Sequence, residues 1–311
     1  MVPDRALLAP VRTGGSIRAD GRPDPEFREQ LRHIASFRNA VSVASLWIQT
    51  IGLVVAAAWI GHPLAWVAVF VLFGRAHAQF AALMHEAAHR LLFRNRAVND
   101  WAGRWLLGYV AFAGPDAYRR GHMAHHRQEF GPDEPDMALY RDYPIKRDSF
   151  RRKLIRDATG QTGFKLLRSL LAGLFGPDPR SRRTVRSIVA VQLVLLAVAI
   201  VLGRWYVYVL WLASYLTVWR VINRLRAIAE HGGMRASSDR RETTHSVRQS
   251  WPARFMLVPY HIGWHLAHHA DSGIPWRNLP RYHRELIAAG YVTADIEYPS
   301  YGALWRKLAS G

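Results

Sequence analysis

Residues 41 to 60 (VSVASLWIQTIGLVVAAAWI) carry no charged side chain, and about twenty such residues are what a helix needs to cross a hydrocarbon core. Gly61-His62-Pro63 makes a tight break, after which residues 64 to 84 return across the membrane. A second apolar pair, 186 to 202 and 205 to 222, is separated by Gly203-Arg204. The expected fold is therefore an all-α integral membrane protein with four transmembrane helices in two hairpins.

The near-neutral mean hydropathy averages apolar blocks with Arg-rich ones. A net charge of +19 would suit nucleic acid if the basic residues clustered on one binding face. Here they flank the spans, where the positive-inside bias and anionic headgroups favour them, so nucleic-acid binding is not expected. The same bias places residues 1 to 40, 85 to 185 and 223 to 311 on the cytoplasmic side of the cell inner membrane, with both hairpins turning on the far side. Residues 41 to 311 then form one membrane domain. Trp105 to Ala113 is apolar but too short to span and suits the interface. The first forty residues have no apolar signal core, so no cleaved signal peptide is expected. Arg75 and His77 interrupt the second span, where ionisable groups are costly unless they face a partner or cavity. A snorkelling Arg with a satisfied core His is one reading, and a polar contact near an active site is the other.

Fifteen histidines and no cysteine are present, which excludes disulfides, thiolate-ligated haem and Cys-ligated clusters within this chain. Three histidine clusters stand out. His85-Glu-Ala-Ala-His89 continues the second span, with its imidazoles at i and i+4 on one helical face. His122-Met-Ala-His125-His126 places rings at i, i+3 and i+4. His265-Leu-Ala-His268-His269 repeats that spacing, with His261 one turn earlier. His231 ends an extension of the fourth span just before Gly232-Gly233, a helix stop. Imidazoles in this number, without thiolates, suit borderline metals such as iron, zinc or copper. They exceed what one tetrahedral zinc requires and are about right for two ions.

The order H-x-x-x-H, H-x-x-H-H, H-x-x-H-H, with a pair of spans between the second and third boxes, resembles the membrane fatty acid desaturase and hydroxylase superfamily over roughly residues 40 to 290. The resemblance implies a cytoplasmic helical cap carrying the boxes, and two iron ions held by His85, His89, His122, His125, His126, His265, His268 and His269. It implies His231 as a further ligand. His261 stands where many relatives have Asn, which leaves direct ligation and a supporting role both open. The family draws electrons from a ferredoxin or cytochrome-type donor fed by an NAD(P)H-dependent reductase, and uses O2 to desaturate or hydroxylate a lipid or other hydrophobic chain. Trp276 to His283 also looks family-like, whereas Ala270-Asp271-Ser272-Gly273-Ile274-Pro275 departs from the apolar run that follows the third box in many acyl desaturases.

Breaking an unactivated C–H bond needs a metal–oxygen species that side chains cannot supply. The Glu-x-x-His pattern of soluble di-iron bundles is absent. Carboxylates should accept the free imidazole N–H groups, and Glu86, Glu230, Asp116 and the Asp133-Glu134-Asp136 group are the candidates. Two other functions start from the same residues. His85-Glu86-x-x-His89 satisfies the zinc-peptidase motif, with Glu86 as base, but that reading leaves two boxes unused. A membrane metal transporter or haem-binding protein would need polar groups recurring through several spans, and only Arg75 and His77 lie within one.

Overall fold

The computed structural model describes residues 1–12, 15–132 and 134–311. Seven helices position the site: α1 (Ser36–Ile60), α2 (Pro63–Ala88), α3 (Pro115–Arg127), α4 (Pro179–Val201), α5 (Trp205–Leu216), α6 (Val218–His231) and α7 (His265–Ala270). Four stretches are long and apolar enough to cross a membrane: Ser36–Ile60, Pro63–Ala88, Pro179–Val201 and Trp205–His231. Helix starts and stops follow local chemistry. Gly61 closes α1 at φ +67, His62 accepts a hydrogen bond from the Leu64 N–H, and Pro63 opens α2. Asp178 caps α4 through the Arg180 and Ser181 N–H groups, so this helix begins before residue 186. The Gly232-Gly233 stop ends α6 at His231, with Gly233 at φ +74.

The chain divides into two compact units built from separated stretches, one comprising residues 35–118 and 152–223. In this spanning unit α2 is the central helix: 61% of its apolar window is buried, against 17% for α1 and for α4. Ile48, Val55, Trp59, Val194 and Val201 on α1 and α4 are large apolar side chains left exposed, which lipid accommodates better than water. α1 packs on α2, and α5 packs on both α2 and α4. Gly74 permits a close approach of α2 to α6, because a Cβ there would stand 2.2 Å from Val218 Cγ1.

Two departures from regular helix occur in this unit, and each has its exposed backbone carbonyls taken up by side chains. Residues 103–112 are largely buried, although Trp105 is exposed. Gly103–Gly108 forms a π-helical turn, Leu107 is fully buried, and Tyr109 to Phe112 are buried behind it. The indole of Trp47 donates to the Leu106 carbonyl at 3.1 Å, and Gln192 Nε2 donates to the carbonyls of Tyr109 and Val110 at 2.8 and 3.0 Å. The fourth span breaks at Thr217, between α5 and α6, at φ −122 and ψ −81. There Arg220 Nε donates to the Tyr215 carbonyl and Thr217 Oγ1 to the Ala213 carbonyl. Backbone groups without water must find such partners.

The other unit comprises residues 1–34, 119–151 and 224–311. Its core joins Phe27 and Leu31 to Leu266, Ile274, Leu279, Tyr282 and Leu286. A pair of two-residue parallel strands, β1 (Ser246–Val247) and β2 (Glu297–Tyr298), pairs Ser246 with Glu297, a small departure from an all-α chain. The run after the third box has a structural role. Asp271 forms a two-point ion pair with Arg28 and accepts from the Gly273 N–H, tying the amino-terminal segment to α7.

Candidate metal centre

The second histidine box lies on α3 and the third on α7, so the H-x-x-H-H spacing is helical in both. With His231 at the end of α6, these elements bring together seven imidazoles that are no more than 9% exposed. They fall into two sets. In the first, the ring nitrogens of His122, His126 and His268 lie within 4.8 Å of one another. His126 Nε2 is 3.0 Å from both His122 Nε2 and His268 Nε2. In the second, His125, His231 and His269 offer ring nitrogens within the same limit, with centroids 4.8 to 5.0 Å apart. His265 Nε2 stands 3.1 Å from His231 Nε2.

The far sides of the second set's rings decide what their inner nitrogens present. His125 Nδ1 lies 2.9 and 3.0 Å from the two oxygens of Glu134, His231 Nδ1 lies 2.9 Å from the Thr243 carbonyl, and His269 Nδ1 bonds Glu129. Carbonyls and carboxylates only accept, so Nδ1 carries the proton and Nε2 presents its lone pair. His269 Nε2 is buried and has no hydrogen-bond partner among the described residues. Nitrogen lone pairs converging in this way, with supported Nδ1–H groups behind them, are what a ligated cation requires.

Charge balance agrees. Burial, then the neighbouring His126, His265 and His231, hold His269 well below the usual imidazole range, and burial, then His231 and His268, do the same for His265. Both rings are neutral and able to ligate. Burial also pulls His125 down, but the Glu134 hydrogen bond and charge outweigh it and its pKa stands raised. Burial likewise pushes Glu134 up and is outweighed by His125, so its carboxyl stays ionised. Glu129 is pushed up by burial and partly offset by Arg240, whose Nη1 lies 2.5 Å from Glu129 and whose Nη2 donates to the His126 carbonyl. The residues present fit two cations of borderline softness: there are two imidazole sets, no thiolates, and carboxylates arranged behind the rings.

Other sequence-derived candidates sit as follows. His85 and His89 occupy the last turn of α2 and its C-cap, in the spanning unit, with ring centroids 4.7 Å apart and His85 buried. Glu86 is buried beside them. Asp136 lies within 4.8 Å of His125 and Glu134, and its N–H donates to Glu134. Asp133 lies outside the described residues. Glu230 lies 3.5 Å from His265 Nδ1 and pairs with Arg226, while Asp116 forms a two-point pair with Arg104. His261 is not on α7. It sits in the preceding turn at φ +59, its ring 5.1 Å from Trp264 and 5.5 Å from Trp276, and belongs to neither imidazole set. Burial, then Arg254 and Arg277, lower it to about 4. In the spanning unit, His77 lies 3.8 Å from the Trp211 ring and bonds the Trp211 carbonyl, and Arg75 bonds Gln79. Glu129 is the functional residue that sequence reasoning missed. Its signal was its place three residues beyond His126, where a carboxylate can reach back to the imidazoles.

Comparison with known proteins agrees with this geometry. The family model described as fatty acid desaturase matches residues 57–302. Dihydrorhizobitoxine desaturase of Bradyrhizobium elkanii is 26% identical over 271 residues, covering 81% of this chain and 75% of that protein. With helices long enough to span a membrane, two buried imidazole sets and a family match over most of its length, the chain belongs to the fatty acid desaturase family.

Proposed function

We propose that this protein is a membrane-bound, O2-dependent desaturase acting on a lipid acyl or similar hydrophobic chain at a di-iron centre. The observation that carries the reading is the division of buried imidazoles into two sets, with His125, His231 and His269 each supported at Nδ1. His122, His126 and His268 would hold one ion, and the family resemblance makes His85 and His89 iron ligands as well. His125, His231, His265 and His269 would hold the other. Bound iron supplies the activation of O2 needed to remove hydrogen from an unactivated methylene pair. Overall, one saturated C–C unit, O2, two electrons and two protons give one C=C unit and two waters.

The protein's own part is positional. Glu134, Glu129 and the Thr243 carbonyl fix three ring tautomers, and Arg240 partly offsets the burial of the Glu129 carboxylate. Electrons would come from a ferredoxin or cytochrome-type protein served by an NAD(P)H-dependent reductase. The spans would form two hairpins in the cell inner membrane, with the histidine boxes in a cytoplasmic cap. Hydroxylation is the other outcome of the same hydrogen removal, and the curated relative's name, a desaturase, favours desaturation.

The test has two readouts. Protein purified in detergent should carry about two irons per chain by elemental analysis. Expression in a host of known lipid composition should give a new unsaturated product that His125→Ala abolishes. One zinc per chain and no iron after reconstitution would overturn the reading.

A further inference from the structure

In the spanning unit, α1, α2, α4 and α5 leave between them a cavity of about 290 Å³. Its walls are hydrocarbon, with Val55 from α1, Phe73 and Phe80 from α2, Val198 and Ala199 from α4 and Trp211 from α5. Most polar side chains on the wall are engaged elsewhere: Thr50 Oγ1 donates to the Leu46 carbonyl at 2.7 Å, Tyr208 donates to Gln192 at 3.3 Å and the Trp47 indole donates to the Leu106 carbonyl, while Trp211 Nε1 is buried without a hydrogen-bond partner among the described residues. Apart from that single indole N–H, these wall side chains offer an occupant no free donor or acceptor, which favours an alkyl segment over one rich in polar groups. Apolar cavities of this kind stay dry and take apolar guests.

Two further observations identify the guest. The cavity's rim residues Ile51, Val55, Val198 and Leu202 are 51–68% exposed on the spanning unit's surface, so it opens sideways, where lipid tails run. Its one charged lining residue, Arg204, is exposed at the α4–α5 turn and uses Nη1 on the Tyr206 hydroxyl. Trp66 packs edge-on against Tyr206, and Trp205 is exposed beside it. That pairing of aromatic rings with a cation is the composition of a headgroup layer.

We propose that this cavity binds one acyl chain of a phospholipid from the leaflet at the α4–α5 turn, with the lipid phosphate held by Arg204. The proposal rests on the membrane reading of the spans and not on the metal centre. α1 packs on α2, and α4 on α5, so a chain in the cavity fills space between walls that both helix pairs contribute.

Native mass spectrometry of the full chain, delipidated in mild detergent and offered phosphatidylglycerol, tests this directly. Wild type should retain one phosphatidylglycerol. Ala199→Phe, which fills the cavity, should lower its occupancy about tenfold at unchanged iron content, because the apolar contact of most of one chain is lost. Arg204→Gln, at an exposed turn, should lower it about fivefold while leaving hexadecane binding unchanged, since one basic side chain at a headgroup contributes about that much. If Ala199→Phe does not fold, Arg204→Gln decides alone. Equal phosphatidylglycerol occupancy in wild type and Arg204→Gln would overturn the proposal. So would displacement of the phospholipid by equimolar hexadecane, which would make the cavity a site for free hydrocarbon.

Discussion

His125 and Glu134 face each other at 2.9 Å with both side chains buried, and burial alone would push both toward their neutral forms. Their mutual hydrogen bond reverses that in each, so the carboxylate stays ionised and the Nδ1 proton stays in place. Glu134→Gln removes the charge and keeps an acceptor. Iron affinity should fall about 10- to 100-fold, as for other carboxylates that support a ligating imidazole, and competitive chelation followed by elemental analysis measures it.

Arg240 and Glu129 form the counterpart behind His269, with the Glu129 side chain 1% exposed. Arg240→Ala leaves that carboxylate buried without its cation, and the unfolding free energy should fall by about 3–5 kcal/mol. Replacing both members, in Arg240→Met with Glu129→Gln, should restore part of the stability while iron content stays low. Thermal unfolding in detergent and metal analysis separate the two effects.

Single replacement of His89, His126 or His269 by Ala should abolish product, and combining any two should add almost nothing. Groups that act as one unit lose everything with the first deletion. His33 and His62 serve as controls with unchanged iron. His283 is a control of another kind: it is buried and bonds Glu297 at 3.0 Å, so His283→Ala should lower stability while iron content is retained. His261→Asn should keep measurable activity, since its ring packs between Trp264 and Trp276. Full activity in His126→Ala or His269→Ala would separate the boxes into unrelated sites.

Glu297 carries a pH dependence of known sign. Burial pushes its pKa up, but His283 and Arg248 outweigh burial and hold it below the usual carboxylate range. A carboxylate depressed by folding stabilises fully above its unfolded pKa of about 4.5 and loses that contribution as pH falls through the lower folded value. Melting temperature should therefore drop between about pH 5 and pH 3, and Glu297→Gln should flatten that drop. An unchanged slope in the variant would remove Glu297 from the account.

The spans and the boxes were legible in the sequence because both are local signals. An uncharged stretch such as 41 to 60 has few ways to exist outside lipid, and imidazoles at i, i+3 and i+4 share a helical face wherever the helix is placed. The Gly232-Gly233 stop after His231 was readable for the same reason. The tertiary structure alone decided which imidazoles group together, since His125 joins His231 and His269 while its neighbour His126 joins His122 and His268. Adjacent residues on a helix point about 100° apart, so one box can serve two sets, and the choice lies in where the other helices stand. Gln192 on the Tyr109 and Val110 carbonyls, the break at Thr217 and the pairing of Arg28 with Asp271 were equally invisible. Each joins residues by three-dimensional proximity or answers a backbone group exposed by packing, and neither leaves a periodic trace along the chain.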